Sequence, residues 1–143
     1  MAVTKGGVQD IPGRHVHYAF HPGSVAATAT SSEIIFEAMN RCRVKRVAFI
    51  ASATITGQAT DHFSLDIINR GTDGTGSGAI ATQILFSTSG VVATAGDAKE
   101  FTLSTTDATV TLAAGDVLAV LRTKVGSGLI MSSGVFVVEF EPA

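Results

Sequence analysis

The stretch HFSLDII, residues 62–68, alternates without a break: Phe63, Leu65 and Ile67 fall on one side of an extended chain, and His62, Ser64 and Asp66 on the other. A helix needs apolar positions every three or four residues, so a period of two excludes it and predicts a strand with one dry face. The pattern returns along the chain. EIIFEAM places Ile34, Phe36 and Ala38 on one face, RVKRVAFIASATI aligns Val47, Phe49 and Ala51, and AIATQILF aligns Ile80, Ile84 and Phe86. EFTL and ATVTL read as short strands, the second with Val110 and Leu112 inward. Between these runs stand HPGS, ITGQ, STSG, TAGDAK and AAGD, where Pro fixes φ and Gly permits φ > 0. One segment, SSEIIFEAMNR, also admits a short helix capped by Ser32.

Two runs near the C-terminus break the alternation by being apolar on both faces. In VLAVLR, Val117, Ala119 and Leu121 oppose Leu118 and Val120; in VFVVEF, Val135 and Val137 oppose Phe136 and Val138. Such strands are either central in a covered sheet or buried by a partner. Roughly eight or nine strands with Gly and Gly-Asp turns predict an all-β, single-domain antiparallel β-sandwich or jelly roll over residues 21–143. Residues 1–20 read as an extended N-terminal arm: the first fourteen have no periodicity, and HVHYAF is too short to settle.

Composition narrows the function classes. Only 15% of the 143 residues are charged, well under the usual quarter, which suggests surface hidden in an oligomer. A net charge of -2 gives no electrostatic case for nucleic acid or an anionic membrane. No apolar run approaches the ~18 residues needed to span a bilayer, and MAVTKGGVQDIPG has no secretory h-region. With the single cysteine, Cys42, no internal disulfide forms, so assembly in a reducing cytoplasm is expected. Trp is absent and Tyr18 is the one tyrosine, few for the aromatic platform of a sugar-binding module.

Candidate chemistry is sparse. NRGTDGTGSG, residues 69–78, has the look of a phosphate loop, and Gly71 and Gly76 have the P-loop spacing. Ser77 stands where that motif requires Lys, and a strand rather than a helix follows, so the stretch reads as an inter-strand loop. Asp73 alone cannot supply the several oxygens of a calcium site. His15 and His17 share a strand face and, with His21 or His62, have ligand chemistry for zinc, but imidazoles facing solvent or an interface explain them as well. Cys42 lies between Arg41 and Arg43, which would lower its pKa, yet no His is near in sequence, so an inert thiol is expected. Asp61, Asp66, Asp97, Asp107 and Asp116 fall at strand ends and turns, where Asp serves the backbone. In RCRVKR, Arg41, Arg43 and Lys45 project to one side, either as a solvated edge or as a patch for an acidic partner.

Taken together, the turn-and-strand pattern resembles the small β-sandwich virion proteins of tailed bacteriophages, in particular head decoration (cement) proteins. The resemblance spans roughly residues 47–141 and is carried by Asn69 to Gly71, Asp73 to Gly78, Ala81 to Phe86, Ala113 to Leu118, Thr123 to Gly128 and Val135 to Phe140. It implies a non-enzymatic structural protein without cofactors that binds the capsid exterior as a homotrimer at three-fold and quasi-three-fold positions. Its partners would be itself and a major capsid protein, with neither nucleic acid nor membrane involved, and its place the virion, assembled in the host bacterial cytoplasm. It also implies an N-terminal arm that contacts a neighbour or the shell. In DIPGRHVHYAF, Ile11, Val16, Tyr18 and Phe20 would fill pockets beside His15 and His17, and Arg14 would meet a carboxylate. Asp73, Gly74, Gly76 and Gly78 would shape a sandwich end. The alternatives are another virion component, such as a head-fibre base, tail or baseplate protein, or a carbohydrate- or receptor-binding β-sandwich.

Overall fold

A computed structural model describes residues 12–143 of the chain. The predicted sandwich is present and its wiring is that of a jelly roll. The strands are β1 (His15–His21), β2 (Ser31–Glu37), β3 (Cys42–Ala51), β4 (Ile55–Thr56), β5 (His62–Asn69), β6 (Gly78–Ala79), β7 (Ile84–Leu85), β8 (Val91–Ala93), β9 (Ala98–Glu100), β10 (Thr111–Leu112), β11 (Val117–Val125) and β12 (Gly134–Pro142). One helical turn, α1 (Asp107–Val110), precedes β10. One sheet runs β1-β12-β3-β10, with β9 also on β3; the other runs β2-β11-β5-β6, with β7 also on β5. All pairings are antiparallel, and the chain passes repeatedly from one sheet to the other. The two last long strands insert late, β12 between β1 and β3 and β11 between β2 and β5. That late insertion is what makes two nested Greek keys of the chain.

The insertion also explains the two runs that are apolar on both faces. Each is central in its sheet, the first of the two alternatives above. Leu118, Val120, Phe136, Val138 and Phe140 enter the core, while Ala119 and Val137 are buried on the outer faces. Aromatic pairs knit the layers: Phe49 stacks on Phe136 with centroids 4.8 Å apart, Phe63 on Phe86 at 4.3 Å, and Phe36 meets Phe140 at 4.8 Å. Such pairs add ~0.5–1.5 kcal/mol each beyond the area they bury.

Several local expectations shift, each for a physical reason. The helix option for SSEIIFEAMNR gives way to β2, because the segment pairs along β11. Within β2 the alternation slips: Phe36 lies opposite Leu118 and Ile34 opposite Ala119, so Ile35 is an extra residue in a β-bulge. Ile35 and Phe36 are both buried, and Ile34 points outward at 64% exposure instead of joining Phe36. AIATQILF is two short strands around an irregular stretch, although Ile80 and Phe86 do reach the core and Ile84 packs against it. In ATVTL the first residues form α1 and only Thr111 and Leu112 are strand. On β5, His62 and Ser64 are buried although they lie on the face away from the core, and Gln83 Nε2 donates to both Ser64 Oγ and Asp66 Oδ2 there.

The expected boundary between arm and sandwich at residue 20 also moves. His15–His21 pairs with β12 residue for residue, from His15 opposite Phe140 to His21 opposite Gly134. HVHYAF is therefore a strand of the sandwich. What remains of the arm precedes His15, and Ile11 lies outside the described residues.

Candidate assembly surface

The pairing of β1 with β12 decides which side chains of the N-terminal segment are presented. Residues directly opposite one another share a face. His15, His17, Ala19 and His21 lie opposite Phe140, Val138, Phe136 and Gly134, so they face the core side. The rings confirm it: His15 is 5.5 Å from Phe140, His17 is 5.6 Å from Phe36, and His21 is 5.8 Å from Phe136. Val16, Tyr18 and Phe20 therefore point outward, at 47%, 66% and 74% exposure. They continue across the sheet in rows. Phe20 lies beside Val135 and then Ile50, and Tyr18 beside Val137 and then Ala48.

The third row, Val16 beside Glu139 and then Arg46, begins a charged border. Arg46 donates to both oxygens of Glu100, at 2.6 to 3.1 Å, and to Glu139 at 2.8 Å, which holds its guanidinium still more firmly in the charged form. Arg14 reaches Glu139 at 3.8 Å. Arg14 is expected to meet a carboxylate of a neighbour or the shell; within this chain the carboxylate it reaches is that of Glu139.

The basic cluster is compensated in the same way. Arg43 meets Asp107 at 3.3 Å and Lys45 meets Glu141 at 3.5 Å. Lys45 is the extra residue of a bulge opposite the Glu139–Phe140 step, is exposed, and meets Glu141, which pairs with Arg43 in register, so Lys45 lies on the outer side with Arg43 and Arg46 joins them there. Arg41 is exposed just before β3. Two of the three cations of the patch, Arg43 and Lys45, are thus paired with acids of the same chain, which leaves Arg41 as the exposed cation with no acid paired to it among the described residues.

The glycine-rich loop is a tied structural corner. Asp73 Oδ1 accepts from the N–H and the hydroxyl of Thr75, at 3.0 and 2.8 Å, and these bonds lower the carboxyl pKa. Gly71 and Gly74 adopt positive φ, and at Gly76 a Cβ would stand 2.6 Å from the Asn69 carbonyl oxygen. Gly78 opens β6 opposite Asn69. Asn69 Nδ2 donates to Asp116 Oδ2, which also accepts from Ala113 N. Two of the landmarks behind the family resemblance, N-R-G and A-A-G-D, thus meet at one end of the sandwich.

Among the described residues no group of three His, Cys, Asp or Glu is placed to hold a metal ion. Cys42 is buried, and burial followed by the nearby Asp116 pushes its thiol up to about 11, so the flanking arginines do not activate it. Sequence reasoning missed Arg122. It follows Leu118 and Val120 on the inward side of β11 and is buried, with its guanidinium 4.8 Å from the Phe63 ring centre. It donates to the carbonyls of Thr28, Ala29 and Leu129. Burial lowers its pKa. An arginine at the end of an inward apolar row was the available signal. Nearby, the buried His21 accepts from Gly23 N through Nδ1 at 3.0 Å. Burial lowers its pKa first of all, Arg122 lowers it further, and Glu33 opposes them.

Fold and surface together define a jelly-roll protein with an apolar, exposed row along β1. No protein-family model matches the chain, and no curated protein matches it. A search of solved structures finds similarity to a chain of "Structure of infectious bursal disease virus Gx strain", at 15% identity and a TM-score of 0.42, covering 90% of this chain. The chain spans about a third of that chain's length, 32%.

Proposed function

We propose that this chain is a structural virion protein that binds the outside of a tailed-phage capsid as a homotrimer at three-fold positions and stabilises the shell. The observation that carries this reading is the margin at β1. A jelly roll whose turns bear the landmarks of the decoration proteins presents Val16, Tyr18 and Phe20 to the outside, at the N-terminal segment through which such proteins reach a neighbouring subunit or the shell. A trimer offers each docking patch three times. Weak contacts to neighbouring capsid subunits then add through effective concentration, and the shell resists internal pressure without any one strong bond.

The test is to mix the purified protein with undecorated heads. Saturable binding, density at the three-fold positions and a raised temperature of head rupture are expected. Heads that neither bind the protein nor gain thermal resistance would sink the proposal. A chain lacking residues 1–14 keeps every described strand, because β1 begins at His15; it should fold normally and bind heads more weakly. Recognition of a glycan array instead of heads would make this a receptor-binding sandwich, with Tyr18 and Phe20 as its aromatic platform.

A further inference from the structure

We infer that copies of this chain join through β1, and that the outward row Val16, Tyr18 and Phe20 packs against a second copy. The inference rests on the trimer proposed above and names the surface that holds it together.

The first ground is the state of the sheet edges. An edge strand exposes unpaired N–H and C=O groups, and proteins guard such edges with short strands, bulges, charges or proline. At the far margins, β6, β7 and β10 are two residues long and β9 is three. On the near side, β2 carries a bulge and exposes Glu33 and Glu37. β1 has none of these devices. It runs seven residues in unbroken register with β12, contains no Lys, Asp, Glu or Pro, and ends its sheet among the described residues. A long, regular, apolar edge is one that another chain covers.

The second ground is area. Aromatic side chains bury ~150–250 Å² each, so Tyr18 and Phe20 at their observed exposures leave on the order of 250 Å² open. Val16, and the half-buried Val135 and Ile50 in the neighbouring rows, bring this to about half of the ~800 Å² per partner of a standard interface, so the row is the apolar centre of the contact and the surface around it supplies the rest. Nor can the row turn inward to hide, because the other face of β1 is already filled by His15, His17 and His21 on their phenylalanines.

The third ground is charge. The border of the row holds Arg14 and Arg46 against Glu100 and Glu139, cations and carboxylates already paired within the chain. Such a surface neither repels a copy of itself nor selects a strongly charged stranger. A second copy is the partner that fits an apolar row with a neutral border.

Light scattering on the wild-type protein and on a Tyr18→Lys/Phe20→Lys variant tests this, with Ile34→Lys on the opposite sheet as control. The wild type and the control should run at three times the 14.7 kDa chain mass, and the double variant at one, with an unchanged circular dichroism spectrum. A folded double variant that stays trimeric overturns the inference and leaves the trimer standing. A monomeric wild type overturns both. If the lysine variant does not fold, maleimide labelling decides, since the buried Cys42 contributes little background. Phe20→Cys should react at least about tenfold more slowly than Ile34→Cys in the assembled protein, and equal rates would refute the contact.

Discussion

β1 and β2 close the two sheets on the same side of the sandwich and pack against each other, yet they are built in opposite ways. β1 holds its register throughout and turns valine, tyrosine and phenylalanine outward. β2 slips by one residue at Ile35, and its exposed side chains are Ser32, Glu33, Ile34 and Glu37. The same position in the fold is therefore an invitation on one sheet and a barrier on the other. The difference lies in regularity and charge and does not depend on location, so substitution can move it.

The largest effect is expected at the joint between the two margins. Phe140 touches both His15 of β1 and Phe36 of β2, and Phe140→Ala should cost about 3–5 kcal/mol in urea unfolding. A loss under ~1 kcal/mol would mean that the margins do not depend on this contact. Next comes the loop that links them, residues 22–30, which Arg122 ties through the carbonyls of Thr28 and Ala29. Arg122→Met leaves these and the Leu129 carbonyl without their donor and should cost about 2–3 kcal/mol by the same measurement.

The same link carries a pH dependence. His21 ends β1, and the charged groups that face it are Glu33 of β2 and Arg122 of β11. Its folded pKa lies below the ordinary 6.5, so the unfolded chain takes up the proton first as pH falls. Stability is then whole above about pH 6.5 and declines below it, through the folded pKa. Thermal melts from about pH 8 to about pH 5 should show that decline, and His21→Gln should flatten it; a wild type that melts higher in acid would contradict the assignment. Smallest of all is the border. Arg46→Ala breaks the exposed bonds to Glu100 and the partly buried one to Glu139 and should change stability by about 1 kcal/mol, with added salt reducing even that.

Much of this architecture was legible. The period of two in HFSLDII and RVKRVAFIASATI predicts strands with the correct inward residues, and the doubly apolar runs predict strands that are either central in a covered sheet or buried by a partner, of which the fold shows the first. What stayed hidden depends on pairing across long distances. Ile34 and Phe36 look equivalent until β11 sets a bulge between them, and ATVTL looks extended until α1 forms. For the candidate surface, alternation alone groups Val16, Tyr18 and Phe20 against His15 and His17. It cannot say which set faces out, since β12, more than a hundred residues away, makes that choice. Arg122 is apparent as an oddity in VLAVLR, but its partners are backbone carbonyls that no side-chain pattern announces.

The contrast between the two margins can be read directly by hydrogen exchange on the wild-type protein across a dilution series. Peptides spanning His15–His21 should exchange slowly where the protein is assembled and faster where dilution separates the copies, while peptides spanning Ser31–Glu37 exchange alike throughout. Concentration-independent exchange at β1, or slowing at β2 in its place, would contradict the claim that β1 is where one copy meets the next.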